Sequence, residues 1–230
     1  MSHHIKDRVY AQFARISRAL GSPRRLELID LLVHSERTVE DLAREARLSV
    51  ANASRHLQVL RAAHLVDTRK EGLYVFCRLA DSDVHSLSRA VRALAERRLA
   101  TLERIVADFW GSRDKLEVVS HADLLARARA GDVTVVDVRP IEEYRAGHLP
   151  HAISIPLAEL ERRIAEIPRG KEIIAYCRDR YCVMSIRAID LLRAKGRRAR
   201  RLEDGFAEWL LSRRSVRRGV EPASKTRRVS

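Results

Sequence analysis

Apolar positions in the first hundred residues recur at helical spacing, and capping signals punctuate them. Residues 8–20 read as one helix, and Gly21-Ser22-Pro23 then supplies a stop, an N-cap and a proline at the first helical position. A second helix runs to about Val33, with Leu26, Ile29 and Leu32 on its inner face. Thr38 stands three residues before Asp41, a capping arrangement for a short helix ending near Ala46. Ser49 caps the next helix, 49–63, which turns Ala53, Leu57 and Leu60 inward. The period then switches to two. Residues 65–68 and 73–79 read as strands joined by Arg69-Lys70-Glu71-Gly72, a hairpin with a basic tip. Helical spacing returns as one long helix over 83–109. Its stripe of Val84, Leu87, Val91, Leu94, Leu102, Ile105 and Phe109 is wider than one small domain covers by itself.

A different grammar begins near Gly111. The segment 111–117 is short and polar, as an interdomain joint should be. Beyond it, β-branched runs alternate with helices, the mark of an α/β unit. Residues 133–138 are continuously apolar or β-branched apart from Asp137, as in a parallel strand buried on both faces. Residues 172–176 form a second such run, leading into Cys177 and then a helix through Leu191 and Leu192. The pattern predicts two domains: a mainly α winged helix-turn-helix over 1–111, and an α/β domain over 117–212 with a parallel sheet flanked by helices. The basic tail, 213–230, is expected to be disordered.

Composition narrows the partners. The 230 residues carry a formal net charge of +14, a surplus that favours polyanions such as nucleic acid. No run approaches the ~20 apolar residues needed to span a bilayer, and the N-terminus lacks a secretory apolar core. A cytoplasmic protein with no membrane partner is expected. Three cysteines, Cys77, Cys177 and Cys182, are too few for a disulfide framework and direct attention to thiol reactivity. Cys77 alternates with Val75 and Leu79 and is expected in the core.

The helix 49–63 presents Ser49, Asn52, Ser54, Arg55 and Gln58 outward, short donors and acceptors plus one guanidinium suited to base edges and phosphates in a major groove. Arg69 and Lys70 on the wing would meet flanking phosphates. These residues, and the pattern LSxxxxSRHLxxL followed by a wing, resemble the ArsR/SmtB family of bacterial repressors across about 7–110. The resemblance implies a homodimer, joined through the long helix 83–109, that binds a double-stranded DNA operator and releases it when an inducer binds. The family's metal sites are not matched. Residues 36–42 contain no cysteine. Of the last-helix ligands, Asp83 and His85 begin a pattern that Glu96 and Leu99 do not complete. No metal and no other cofactor is expected, and His85 is expected at the surface.

Cys177, at a strand end before a helix N-terminus, is placed where backbone amides and the helix dipole lower a thiol pKa and hold an anion. Arg178 and Arg180 add positive charge. The second half resembles the rhodanese family across about 116–212. Asp137-Val138-Arg139 with Glu142, Tyr144 and Gly147-His148 matches its first signature, Cys177 its nucleophile, and Leu202-Glu203-Asp204-Gly205 with Trp209 its closing motif. The resemblance implies a rhodanese-like fold and transfer of sulfane sulfur, from thiosulfate or a persulfide, through a Cys177 persulfide to a thiol acceptor. Three departures stand out. Asp204 and Arg180 occupy positions where that family usually has glycine, and Cys182 stands where an arginine is frequent. Cys182 is therefore a candidate resolving thiol, while Asp137 and His148 are expected to frame the sheet end. The leading expectation is a repressor whose rhodanese-like domain senses or transfers sulfane sulfur. The alternatives are a thiosulfate or persulfide sulfurtransferase with an accessory DNA-binding domain, an inducer-binding module without turnover, and an arsenate- or phosphate-binding cysteine enzyme. The last would need an arginine clamp where Cys182 stands.

Overall fold

The computed structural model describes residues 2–110, 118–212 and 214–219, which divide into two units, Met1–Ile105 and Val106–Ser230. The expected joint at 111–117 lies outside the described residues.

In the first unit the local signals act as read. Helix α1 (Ser2–Leu20) ends at Gly21, and α2 (Pro23–His34) starts on its proline. Thr38 accepts a hydrogen bond from the Asp41 amide (3.1 Å) to open α3 (Val39–Glu45). Ser49 does the same for α4 (Val50–Ala62), accepting from the Asn52 amide at 3.2 Å. Leu28, Ile29, Leu42, Leu57 and Leu60 interlock as the core, and Cys77 is buried among them. Burial there pushes the Cys77 thiol up to about 11. The wing is longer than its sequence suggests. Strands β2 (Val66–Glu71) and β3 (Tyr74–Leu79) turn at Gly72 and Leu73, Gly72 supplying the left-handed φ of 59°. A two-residue strand unseen in the sequence, β1 (Arg37–Thr38), pairs antiparallel with β3.

Two expectations need correction. The helix over 83–109 is two helices, α5 (Ser82–Arg98) and α6 (Ala100–Trp110), broken at Leu99. Leu94, Leu99 and Ile105 are more than half exposed, so no packing surface holds the rod straight across the break. Leu99 adopts extended backbone, its amide still closing on the Ala95 carbonyl at 2.8 Å. His85 is not a surface residue. Val84, His85 and Ser88 form the inner face of α5, which lies against α2 and β3, and an Arg92–Asp30 ion pair fastens it there. Burial, with Arg89 nearby, lowers the His85 pKa to about 4.

The second unit is a parallel sheet in the order β4-β8-β7-β5-β6: β4 (Val118–Val119), β8 (Ala199–Leu202), β7 (Glu172–Tyr176), β5 (Val133–Asp137) and β6 (Ala152–Ser154). Every residue of β5 is buried, as a strand covered on both faces requires. One apolar layer gathers Leu124, Leu149, Tyr144, Phe206 and Trp209 with helices α7 (His121–Ala130), α8 (Ile141–Ala146) and α11 (Phe206–Leu211). The other gathers Leu160, Ile167, Ile189 and Leu192 under α9 (Leu160–Arg163) and α10 (Val183–Ala194). The tail is ordered further than expected. Trp209 Nε1 donates to the Ser215 carbonyl (3.0 Å), Val216 packs on the first layer, and the Arg217 and His148 backbones exchange two hydrogen bonds. These contacts hold 214–219, and residues 220–230 lie outside the described residues. Among the described residues no helix is long and apolar enough to cross a membrane.

Candidate functional site

Strand β7 delivers Cys177 to the carboxyl edge of the sheet, where parallel α/β folds place their ligands. A loop over 177–182 follows, and Cys182, not Cys177, is the N-cap of α10. The two cysteines are joined as a disulfide across this loop, with Cα atoms 6.2 Å apart. Cys177 is only 1% exposed, whereas Cys182 is partly open to solvent. The expected open thiol is thus a covered one, packed in the second apolar layer and bonded to Cys182.

The loop is pinned along its length. The Phe206 and Ala207 amides donate to the Cys177 and Arg178 carbonyls, both at 2.9 Å. Asp179 accepts from two loop amides, Tyr181 at its side chain (2.7 Å) and Cys182 at its carbonyl (3.2 Å). The Arg201 guanidinium donates to the Arg180 carbonyl at 2.6 Å. Gly205 permits this closeness, because a Cβ there would stand 2.4 Å from the Asp179 backbone.

The loop arginines do not simply add charge. Arg178 makes a two-nitrogen contact with Glu143, its Nε 2.9 Å from Oε1. Arg180 lies 3.9 Å from Asp204. Glu143 is wholly buried, while its neighbour Glu142, which the signature match named, is exposed. Glu143 belongs to a buried network beside the cysteine. Arg139 chelates Asp137 (Nη2 to Oδ2 2.6 Å), donates to the Gly147 carbonyl (2.7 Å) and lies 4.0 Å above the Phe206 ring. Burial opposes the Arg139 charge, but Asp137 outweighs it and keeps the group protonated. Tyr176 donates to Asp137 at 2.5 Å, and burial together with that carboxylate holds its pKa well above the ordinary value. His148 stacks on Tyr144, and its Nδ1 lies 2.8 Å from the Tyr144 carbonyl. Asp137 and His148 thus sit in this framework rather than on the loop.

On the first unit, Ser49, Asn52, Arg55 and Gln58 are exposed along α4, with Ser54 half-buried between them. The wing divides its two candidates. Lys70 is exposed and has no ion pair among the described residues. Arg69 is gripped by Glu36 at two 2.8 Å contacts and by Glu71, and it stacks on Phe76 at 4.3 Å. Its hydrogen bonds to Glu36 and Glu71 raise its pKa. Glu36 lies 33 residues away in sequence, and nothing local announces it. Among the described residues no three His, Cys, Asp or Glu side chains gather as a metal site would require.

Comparison with known proteins converges on the same two units. Residues 22–68 match the model of the bacterial regulatory protein, arsR family, and residues 120–212 match the rhodanese-like domain. The HTH-type transcriptional regulator Rv0324 of Mycobacterium tuberculosis is 44% identical over 209 residues, covering 91% of this chain and 92% of that protein. The chain belongs to the ArsR family. It is an ArsR-type transcriptional regulator that also carries a rhodanese-like domain. The second unit of this ArsR regulator is similar to a sulfurtransferase of Allochromatium vinosum, 36% identical over 20% of this chain and 44% of that one. Its winged unit is similar to the homodimeric winged helix-turn-helix domain Mb0332 of Mycobacterium bovis. That likeness is 37% identity over 41% of this chain and 87% of that chain, with a TM-score of 0.39.

Proposed function

We propose that this ArsR regulator is a repressor that binds its operator as a homodimer, and that its rhodanese-like domain reports sulfane sulfur through Cys177. The DNA half of the reading is supported by the exposed face of α4 and by Lys70 on the wing. The homodimer is supported by two exposed apolar faces, Ile5, Tyr10 and Phe13 on α1 and Leu87, Val91 and Leu94 on α5. A two-fold pair would set its reader helices about 34 Å apart, one turn of DNA.

The observation that carries the sulfur half is the bond between Cys177 and Cys182. In the reduced loop the Cys177 thiolate attacks the sulfane sulfur of a donor, and the donor leaves as a thiolate. Cys177 then holds a persulfide. The Cys182 thiolate attacks the Cys177 sulfur, expels hydrosulfide and closes the disulfide. Both electrons come from the two cysteines, and the sulfane sulfur departs as sulfide. Cover of Cys177 in the closed state favours a reporter over an enzyme built for turnover.

Operator binding by the full-length protein, reduced and then treated with sodium tetrasulfide, tests the reading. Treatment should weaken binding of the wild-type protein and leave Cys177→Ser unmoved. An equal response in Cys177→Ser overturns the role of this thiol.

A further inference from the structure

The charges around the Cys177 loop say which sulfur donors it accepts. Three guanidiniums approach the loop, and each faces a carboxylate or a carbonyl. Arg178 is held by the fully buried Glu143, Arg180 lies 3.9 Å from Asp204, and Arg201 is bound to the Arg180 carbonyl. Asp179 adds a third carboxylate and binds the Tyr181 amide, while its carbonyl takes the Cys182 amide. Among the described residues these three arginines and three carboxylates are balanced, which leaves little surplus positive charge for a sulfonate. Arg180 and Asp204 both stand where the resembled family usually has glycine, and the fold sets these two departures against each other.

Thiosulfate needs positive charge that these pairs already engage. It carries two negative charges and leaves as sulfite, so its transfer depends on cations or amides that hold the sulfonate oxygens through the transition state. Persulfides and polysulfides make no such demand. An organic persulfide carries one negative charge and leaves as a thiolate, and a polysulfide carries its charge on soft terminal sulfurs and leaves as a shorter polysulfide, with no sulfonate to be held. We propose that the site takes sulfur from organic persulfides and inorganic polysulfides and rejects thiosulfate, and that Asp204 sets this selectivity by neutralising Arg180. The proposal rests on the Cys177 reading above.

Burial also fixes the point of entry when the bridge is closed. Cys182 is the less buried of the two, partly open to solvent, whereas Cys177 is only 1% exposed. A persulfide anion RSS⁻ attacks the Cys182 sulfur, the disulfide breaks, and its electron pair leaves on Cys177 as a thiolate. That thiolate attacks the incoming sulfane sulfur and expels RS⁻. The product is a trisulfide between Cys177 and Cys182. One sulfur has moved from donor to bridge, with no net oxidation and no further reagent.

The test incubates the full-length bridged protein with sodium tetrasulfide or sodium thiosulfate and follows the mass of the peptides linked through Cys177 and Cys182. Tetrasulfide should add about 32 Da, one sulfur. Thiosulfate should add little to the wild-type protein and about tenfold more to Asp204→Gly, where Arg180 is released to hold the sulfonate, with tetrasulfide labelling, which needs no sulfonate contact, changed less than twofold. Asp204→Asn serves as the second variant should the glycine chain fail to fold. Thiosulfate labelling of the wild type as fast as tetrasulfide labelling, or unmoved in a folded Asp204 variant, overturns the selectivity and leaves the Cys177 reading standing. If neither donor adds sulfur, entry at the closed bridge fails and the proposal falls, while the Cys177 reading, which begins from the reduced loop, is decided separately by its operator-binding assay.

Discussion

Gly205→Ala isolates the contact that shapes the cysteine loop. The glycine has φ −97° and ψ −167°, a conformation alanine adopts freely, so backbone strain plays no part. The obstacle is space. The added methyl would sit 2.4 Å from Asp179 N and Cα and 2.5 Å from the Arg178 carbonyl carbon. All three are backbone atoms, so no side-chain rotation relieves them. Restoring ordinary contact moves the loop by roughly 1 Å, which is typically felt as about 1–3 kcal/mol of overpacking. The Phe206–Cys177 and Ala207–Arg178 backbone hydrogen bonds, each 2.9 Å, lie within two residues of the clash. Losing either leaves buried polar groups unsatisfied at about 1–3 kcal/mol each. A total near 4 kcal/mol is expected for the second unit, together with slower closure of the Cys177–Cys182 bridge. Urea denaturation and thiol titration on the same preparation measure both. A loss under about 1 kcal/mol with bridging at the wild-type rate would refute the idea that this backbone contact sets the loop.

Glu143→Leu should cost about 3–5 kcal/mol in urea denaturation, because it leaves Arg139 and Arg178 with one buried carboxylate fewer; a loss below about 1 kcal/mol would contradict the network. His85, held near pKa 4 when folded against an ordinary 6.5, binds fewer protons folded than unfolded at acid pH. Stability of the first unit should therefore fall from pH 6.5 to 5 by about 2 kcal/mol, an effect absent in His85→Leu, and an imidazole that titrates near 6.5 by NMR would contradict its burial. Arg55→Ala should weaken operator binding by about 1–3 kcal/mol, whereas Arg69→Ala should chiefly loosen the wing. Equal losses from both, with equal changes in salt dependence, would show that the Glu36 and Glu71 contacts give way on DNA.

What sequence reveals here is what is local. The stop and caps at Gly21, Thr38 and Ser49 are decided by residues three or four positions apart, and strand β7 falls on the residues its apolar run marks. The cysteine pair was legible because both thiols lie on one short loop. What escaped is decided at a distance. The Glu36–Arg69 clamp, the pairing of β1 with β3 and the inward turn of His85 depend on surfaces that meet only after folding. Glu143 went unnamed because its partner Arg178 lies 35 residues away, and only folding brings the two together. The break at Leu99 has no proline or glycine to announce it.

The central claim is that the state of the Cys177–Cys182 bridge is read as DNA affinity. It is tested most directly by poising the full-length protein across a series of glutathione ratios and measuring, in each sample, both the bridged fraction and the operator dissociation constant. The two curves should share one midpoint, and both should vanish in Cys182→Ser. Affinity that stays flat while the bridge goes from open to closed would contradict the claim.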